Sequence, residues 1–298
     1  MNTSAPLCLI NPCQTQERYA YDVRATPQDM RSRVVVKWGG GLITEKGILK
    51  TVRTDILNSL AEQLERCLKA NLDIILVHGA GSFGHLKAKQ YRLAEGRVSD
   101  ENMEGEMTQD DAIQSVRSDM MELNQHVLDA LTQRDISAVS LPPHNWARNT
   151  GPNFQGDISI FGQSPAGIVM MTHGDVVECD GALEFGILSG DDIVLRFSQE
   201  LPGVERLVFA MGGVDGVLAS PPNEQGEGKL LPILKKEDVF TGEHHSEMDV
   251  TGGIGLKVAR GFEALDAGVE VYLVSGERGE RVAEACLGLD VFGTRLAS

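Results

Sequence analysis

An α/β fold with a mainly parallel sheet is predicted by three stretches of the sequence. The run Val34-Val35-Val36-Lys37-Trp38 ends in Gly39-Gly40-Gly41, the run Ile74-Ile75-Leu76-Val77 leads into His78-Gly79-Ala80-Gly81-Ser82-Phe83-Gly84-His85, and an amphipathic stretch joins the two. Near-continuous apolar runs suit parallel strands buried on both faces, and strand, loop, helix, strand is a crossover unit. Both glycine-rich loops follow strands, so they emerge at the same carboxyl edge of the sheet and face one cleft. Glycine lets main-chain N–H groups approach an anion without side chains in the way, so each loop is a candidate phosphate cradle.

The first 32 residues carry Pro6, Pro12 and Pro27 among many polar residues and read as a weakly ordered extension, residues 1–32, ahead of a domain over 33–298. Glu17, Asp22 and Asp29 argue against a transit peptide, which is poor in acids. Lys37 is the anomaly of the first strand, because a lysine in a buried run must snorkel out or meet an anion at the strand's end. Val52, Ile56, Leu60, Leu64 and Leu68 then recur every four residues, the stripe of the connecting helix. His85 stands where the chain enters a second helix, so its imidazole and the helix N-terminus can both face whatever the glycines hold; the other reading is a plain glycine-rich connection beside a satisfied histidine.

Residues 95–111 are polar and acidic and read as a surface excursion; Ile113, Val116, Met120, Leu123, Val127 and Leu131 then form another helical stripe, assigned to the core. Ile136 to Leu141 reads as a strand stopped by Pro142-Pro143. The stretch from His144 to Gly162, with Trp146 and Phe154, reads as hairpins or loops over the cleft, either lining it for an apolar substrate tail or simply packing. Gly167 to Thr172 is a further buried strand opening into a third glycine turn, His173-Gly174-Asp175, with Asp175 as a possible polar anchor. Ser189-Gly190-Asp191-Asp192 precedes an apolar helix; a serine or aspartate cap is one reading, though it accounts for one acid more easily than two, and Asp191 aimed inward at the lysines is the other.

The second half opens with the strand Leu207 to Met211, followed by Gly212-Gly213-Val214-Asp215-Gly216-Val217. Asp249-Val250-Thr251-Gly252-Gly253 leads into a helix marked by Ile254, Val258, Phe262 and Leu265, with Lys257 one turn in; Thr251 is either an anion seat or a helix cap. A strand from Val269 to Val274, a short helix and a final edge strand near Gly293 to Leu296 close the chain. His244-His245 reads as solvated loop.

With 27 Lys and Arg against 43 Asp and Glu, the 298-residue chain has a formal charge of −16, which disfavours nucleic acid and anionic membranes as partners. The five scattered cysteines include no CxxC pair and point to reduced thiols in a cytoplasmic setting. Three glycine turns at one sheet edge, lysines at 37, 46 and 257, and acids at 175 and 191 fit phosphoryl transfer, whose barrier falls when cations neutralise the moving group and donors hold the reactants in line. No GxxxxGK[ST] loop and no HRD or DFG signature occurs.

At these residues the chain resembles the amino acid kinase superfamily. Lys37-Trp38-Gly39-Gly40-Gly41 with Lys46, His78 to His85, His173-Gly174-Asp175, Ser189 to Asp192, Val214 to Val217 and Asp249 to Lys257 match it in order and spacing. Within it, the HGAGSFGH string is similar to that of the isopentenyl phosphate kinases and is shared mainly with fosfomycin kinase. The resemblance implies a three-layer αβα sandwich with a mainly parallel central sheet, an acceptor-binding lobe at about 33–188 and a nucleotide-binding lobe at about 189–298. It also implies ATP with Mg2+, transfer to a small phosphate such as isopentenyl phosphate, a cytoplasmic setting and a homodimer.

Carried over by residue, the resemblance gives Lys37, Lys46, His85, Asp191 and Lys257 catalytic roles, with Asp191 orienting the two lysines beside it. Lys37, Gly39, Gly40, Gly41, Gly81, Asp215, Gly216, Gly253 and Lys257 would contact the nucleotide. Gly79, Ala80, His85 and Gly174 would hold the acceptor, and no residue is assigned to a metal. The family usually has Gly-Gly-Ser or Gly-Gly-Ala where this chain has Gly39-Gly40-Gly41, and Thr-Asp where it has Gly212-Gly213. The second change removes a hydroxyl and a carboxylate from the nucleotide lobe. It keeps open a nucleotide-sensing or structural relative that binds without turnover; the runner-up among enzymes is a kinase of another small phosphate or phosphonate such as fosfomycin.

Overall fold

The computed structural model describes residues 31–45, 47–99, 106–220, 228–238 and 253–298. Residues 1–30 of the extension expected over 1–32, Lys46, His244-His245 and Asp249 to Gly252 lie outside the described residues.

In chain order the elements are β1 (Arg33–Trp38), α1 (Gly40–Ile43), α2 (Thr54–Lys69), β2 (Asp73–His78), α3 (Gly81–Gln90), α4 (Gln109–Thr132), β3 (Ser137–Ser140), β4 (Ala147–Arg148), β5 (Gln155–Gly156) and α5 (Ser159–Gly162). They continue with β6 (Ile168–His173), β7 (Asp175–Glu178), β8 (Phe185–Leu188), α6 (Gly190–Glu200), β9 (Val204–Met211), β10 (Ile233–Lys235), α7 (Gly253–Asp266), β11 (Glu270–Ser275), α8 (Gly279–Cys286) and β12 (Thr294–Ala297). The main sheet runs β10-β12-β11-β9-β1-β2-β6-β3, and β4, β5, β7 and β8 form a second, smaller one.

All six residues of β1 are buried, because the strand lies mid-sheet between parallel β2 and β9. Alternation along it splits the core in two. Val34, Val36 and Trp38 join the layer built from α2, α3, α4 and α8, whereas Val35 joins the layer with α5, α6 and α7. Ile74 and Leu76 against Ile75 and Val77 repeat the split on β2, and the result is the αβα sandwich. Lys37 shares the face of Val35, so its side chain runs under α6. β9, from the second half of the sequence, pairs with β1 from the first, so both halves build one sheet.

The structure departs from expectation at four places. Gly40 to Ile43 form a single helical turn instead of an open glycine loop. Helix α3 already starts at Gly81, which places His85 in its second turn and not at its entrance. Helix α4 starts at Gln109 inside the acidic stretch, where the Thr108 hydroxyl accepts the Asp111 N–H at 3.1 Å and two acids favour the positive end of the helix dipole. The last strand, β12, is not the edge: β10, only three residues long and too short to show a period, pairs outside it.

Candidate active site

The carboxyl ends of β1, β2, β6 and β9 surround a cavity of about 410 Å3, within the range of small-molecule sites. Its walls include Gly39 to Leu42 after β1, Gly79 and Ala80 after β2, His85 on α3, Gly174 and Asp175 after β6, Met211 to Val214 after β9, and Lys37 and Lys257. The two glycine loops touch. A Cβ on Gly40 would lie 2.2 Å from the Gly81 nitrogen, and Gly81 itself has φ +50, so neither position accepts a side chain. Thr44 fastens the contact: its hydroxyl donates to the Gly40 carbonyl at 2.9 Å and accepts the Ser82 N–H at 3.0 Å.

Asp191 organises the cationic wall. Ser189 caps α6 by accepting the Asp191 N–H at 3.1 Å, so the Asp191 carboxylate is left for the lysines. One oxygen accepts from Lys37 Nζ at 2.6 Å and the other from Lys257 Nζ at 3.1 Å. Lys257 also donates to the Gly253 carbonyl one turn back, at 3.2 Å. Burial alone would push the Asp191 carboxyl up; the ammonium groups of Lys257 and Lys37 outweigh it and hold the group at about 2. The three side chains sum to one positive charge at the cavity wall. The neighbouring acid has a different task, since Asp192 accepts from Arg260 Nε on α7 at 2.7 Å and ties that helix to α6.

Two buried histidines, His78 and His173, end β2 and β6 beneath the glycine turns. Burial, reinforced by His173 beside it, lowers the His78 imidazole to about 3, and burial lowers His173 as well. A histidine kept neutral in the fold and free to protonate when unfolded costs stability in acid. Between pH 6.5 and about 3 the unfolded chain binds the extra proton, so stability falls as pH falls through this window. Asp191 adds a loss of the same sign between 3.8 and about 2, where only the unfolded carboxylate protonates. Urea unfolding between pH 7 and 4.5 is expected to show a slope approaching about 1.4 kcal/mol per pH unit from His78 alone. Unchanged stability over that range would mean that the pair is already charged in the fold.

Of the residues singled out from sequence, Lys37, Gly39, Gly40, Gly41, Gly79, Ala80, His85, Gly174 and Lys257 line this one cavity, with Asp191 behind the lysines. Gly81 and Gly253 act one layer back, through the loop contact and the Lys257 hydrogen bond. Asp215 and Gly216 are not among the lining residues. Asp215 pairs with Arg281 on α8, and a Cβ on Gly216 would press to 2.6 Å on Thr294 Oγ1. Gly212 lines the cavity but lies so close to α1 that a Cβ would be 2.9 Å from Leu42 Cα.

Trp146 and Phe154 belong to an aromatic cluster with Phe161 and Phe197 inside the second core layer, so that stretch packs and does not line the cavity. The apolar wall comes from Ala88, Val116, Met120, Val176 and Ile187. Val116 and Met120 follow the core stripe of α4, and nothing in their spacing separates wall from core. Among the described residues, no group of three or more His, Cys, Asp or Glu side chains is placed to hold a metal ion.

The comparisons with known proteins agree with this geometry. The model of the amino acid kinase family matches residues 32–275. The isopentenyl phosphate kinase of Methanothermobacter thermautotrophicus is 31% identical over 268 residues, covering 88% of this chain and 98% of that protein. That of Arabidopsis thaliana is 25% identical, covering 81% and 86%. A crystal structure of an isopentenyl phosphate kinase superposes with a TM-score of 0.72 at 28% identity, over 88% of this chain and 99% of that one. A parallel sheet whose carboxyl edge gathers glycine turns and an aspartate-bridged lysine pair thus has its sequence counterpart along nearly its whole length, and the chain belongs to the amino acid kinase family.

Proposed function

We infer that this protein transfers the γ-phosphoryl group of ATP to the phosphate of isopentenyl phosphate, giving ADP and isopentenyl diphosphate. The observation that carries this reading is a cavity lining that combines two chemistries. One is bare main chain with Lys37, Lys257 and His85; the other is apolar side chains, Ala88, Val116, Met120, Val176 and Ile187 among them. The first suits phosphate groups and the second a short hydrocarbon tail.

The acceptor phosphate brings its own nucleophilic oxygen, so the protein need supply no strong base. Its oxygen forms the new P–O bond as the bond between the β- and γ-phosphates breaks and ADP leaves. Lys37 and Lys257 neutralise charge on the transferred group, and Asp191 fixes both ammonium positions in advance, so no reorganisation is needed during the step. His85 donates to an acceptor oxygen, with Gly79, Ala80 and Gly174 as its main-chain seat. The acceptor lies on the 33–188 side and the nucleotide on the 189–298 side, near Gly39 to Gly41 and Gly212-Gly213. Magnesium arrives with ATP, held by its phosphates and water. The protein acts in the cytoplasm as a homodimer, an assembly that light scattering tests.

Release of ADP with isopentenyl phosphate as acceptor, compared with fosfomycin and with no acceptor, tests the reading. Turnover highest with isopentenyl phosphate supports it. Preference for fosfomycin favours the phosphonate kinase, and nucleotide binding without product favours the non-catalytic relative. The apolar wall gives a sharper expectation. Met120→Phe narrows the space beside Gly84, where Met120 Sδ already lies 3.3 Å from a Cβ built there. It is expected to raise KM for isopentenyl phosphate by roughly tenfold, the scale on which a small apolar pocket discriminates by size, while KM for ATP stays put. An equal rise in both would place the tail elsewhere.

A further inference from the structure

The two histidines beneath the glycine turns have no part in the chemistry above, yet their arrangement is too regular for filler. His78 and His173 end adjacent parallel strands, pair in register, and are both completely buried. Their rings lie 5.1 Å apart, tilted by 36°. Each makes the same contact with the glycine that follows it: His78 Nδ1 is 3.2 Å from the Gly79 carbonyl oxygen, and His173 Nδ1 is 3.0 Å from that of Gly174. A carbonyl oxygen only accepts, so Nδ1 carries the proton in both rings, and a neutral imidazole then leaves Nε2 bare. His173 Nε2 is buried with no partner among the described residues. His78 Nε2 lies 3.3 Å from Asn124 Oδ1, which also accepts from Ser140 Oγ at 2.8 Å; with Nδ1 protonated toward Gly79, an Asn124 amide turned to donate its NH2 to Nε2 satisfies the pair.

A buried nitrogen without a partner costs stability that an apolar residue at the same place would not. What the arrangement provides is control of two peptide planes. In a trans peptide, C=O and N–H point in opposite directions, so holding the Gly79 carbonyl inward turns the Ala80 N–H outward, to the side of the cavity that Ala80 lines. Gly174 is held from both ends: its N–H donates to the His78 carbonyl at 3.1 Å and its carbonyl faces His173. Glycine peptides flip readily, and a flipped one would aim a carbonyl oxygen at a bound phosphate.

We propose that His78 and His173 are positioning residues for the acceptor phosphate, each locking the peptide of the following glycine so that its carbonyl faces the core and the wall of the seat stays receptive to an anion. This rests on the reading that Gly79, Ala80 and Gly174 seat the acceptor. Neither imidazole touches substrate, so the effect is on acceptor affinity and not on the nucleotide.

The test is steady-state kinetics, with calorimetric binding of isopentenyl phosphate, on the parent and on His78→Leu, His78→Asn, His173→Leu and His173→Asn, each with its melting temperature. Asparagine places an N–H where Nδ1 stood; leucine does not. The leucine variants are expected to raise KM and Kd for isopentenyl phosphate by roughly tenfold, the scale of one lost orienting hydrogen bond, with KM for ATP near the parent's. The asparagine variants are expected to recover most of the acceptor affinity. If a leucine variant does not fold, glutamine at the same position, with its donor displaced along the side chain, replaces it under the same expectation. Equal acceptor affinity in leucine variants and parent, equal losses in leucine and asparagine variants, or a parallel rise for ATP each overturns the positioning role alone. A parent that binds no isopentenyl phosphate removes the seat and this inference together.

Discussion

An Asp191→Asn variant is expected to lose stability and turnover together, and by more than any other single change in the site. The carboxylate is almost wholly enclosed and accepts from two ammonium groups, at 2.6 and 3.1 Å. Asparagine keeps the shape but removes the charge, and half of its amide is a donor facing a donor. Removing one partner of a buried ion pair commonly costs about 3–5 kcal/mol; here two ammonium groups lose their shared carboxylate, and Lys37 is buried with it. Lysines no longer fixed at the cavity wall cannot neutralise the moving phosphoryl group in a set geometry, so kcat should fall by about 10²–10³. Urea unfolding and single-turnover rates measured on the same preparation check both parts. Asp192→Asn serves as a contrast, because its partner Arg260 docks α7 and lines no part of the cavity. Parental stability and rate in Asp191→Asn would show that the lysines are held by something else.

His85→Ala should have the second largest effect, and a different signature. His85 is only half-buried in the second turn of α3, and alanine is the best helix former, so the fold should be kept. The loss falls on the reaction: a removed donor to charge that builds up on the reacting group commonly costs about 10²–10³ in kcat, whereas KM for ATP should hardly move. Circular dichroism with rates at saturating ATP separates this from a folding defect. A folded His85→Ala enzyme with near-parental kcat would take His85 out of the mechanism.

Much of this was legible in the sequence because burial and backbone demands leave strong marks. A lysine inside the apolar run of β1 has few explanations, and glycines directly after two such runs mark places where main chain meets main chain, as Gly40 and Gly81 do. Ser189 before two acids signalled a cap plus a surplus carboxylate, which is how Ser189 and Asp191 divide the work. Other features carry no local mark. Val116 and Met120 have the spacing of any core residue on α4, and which of them faces a cavity depends on what lies opposite. Asp215, which its motif places near the nucleotide, pairs with Arg281, 66 residues further on, a partner that no local spacing marks. His78 and His173 read singly as the first residues of glycine turns; only the register between β2 and β6 makes them a pair.

The most direct test of the central claim, that one cavity brings Lys37, Lys257 and His85 to bear on a single phosphoryl transfer between two phosphates, is the fate of label from γ-phosphate-labelled ATP supplied with isopentenyl phosphate. The label is expected in isopentenyl diphosphate with the parent enzyme, at a rate strongly reduced by Lys37→Met and by His85→Ala. Label released only as inorganic phosphate, or retained in ATP that binds and is not consumed, would contradict it.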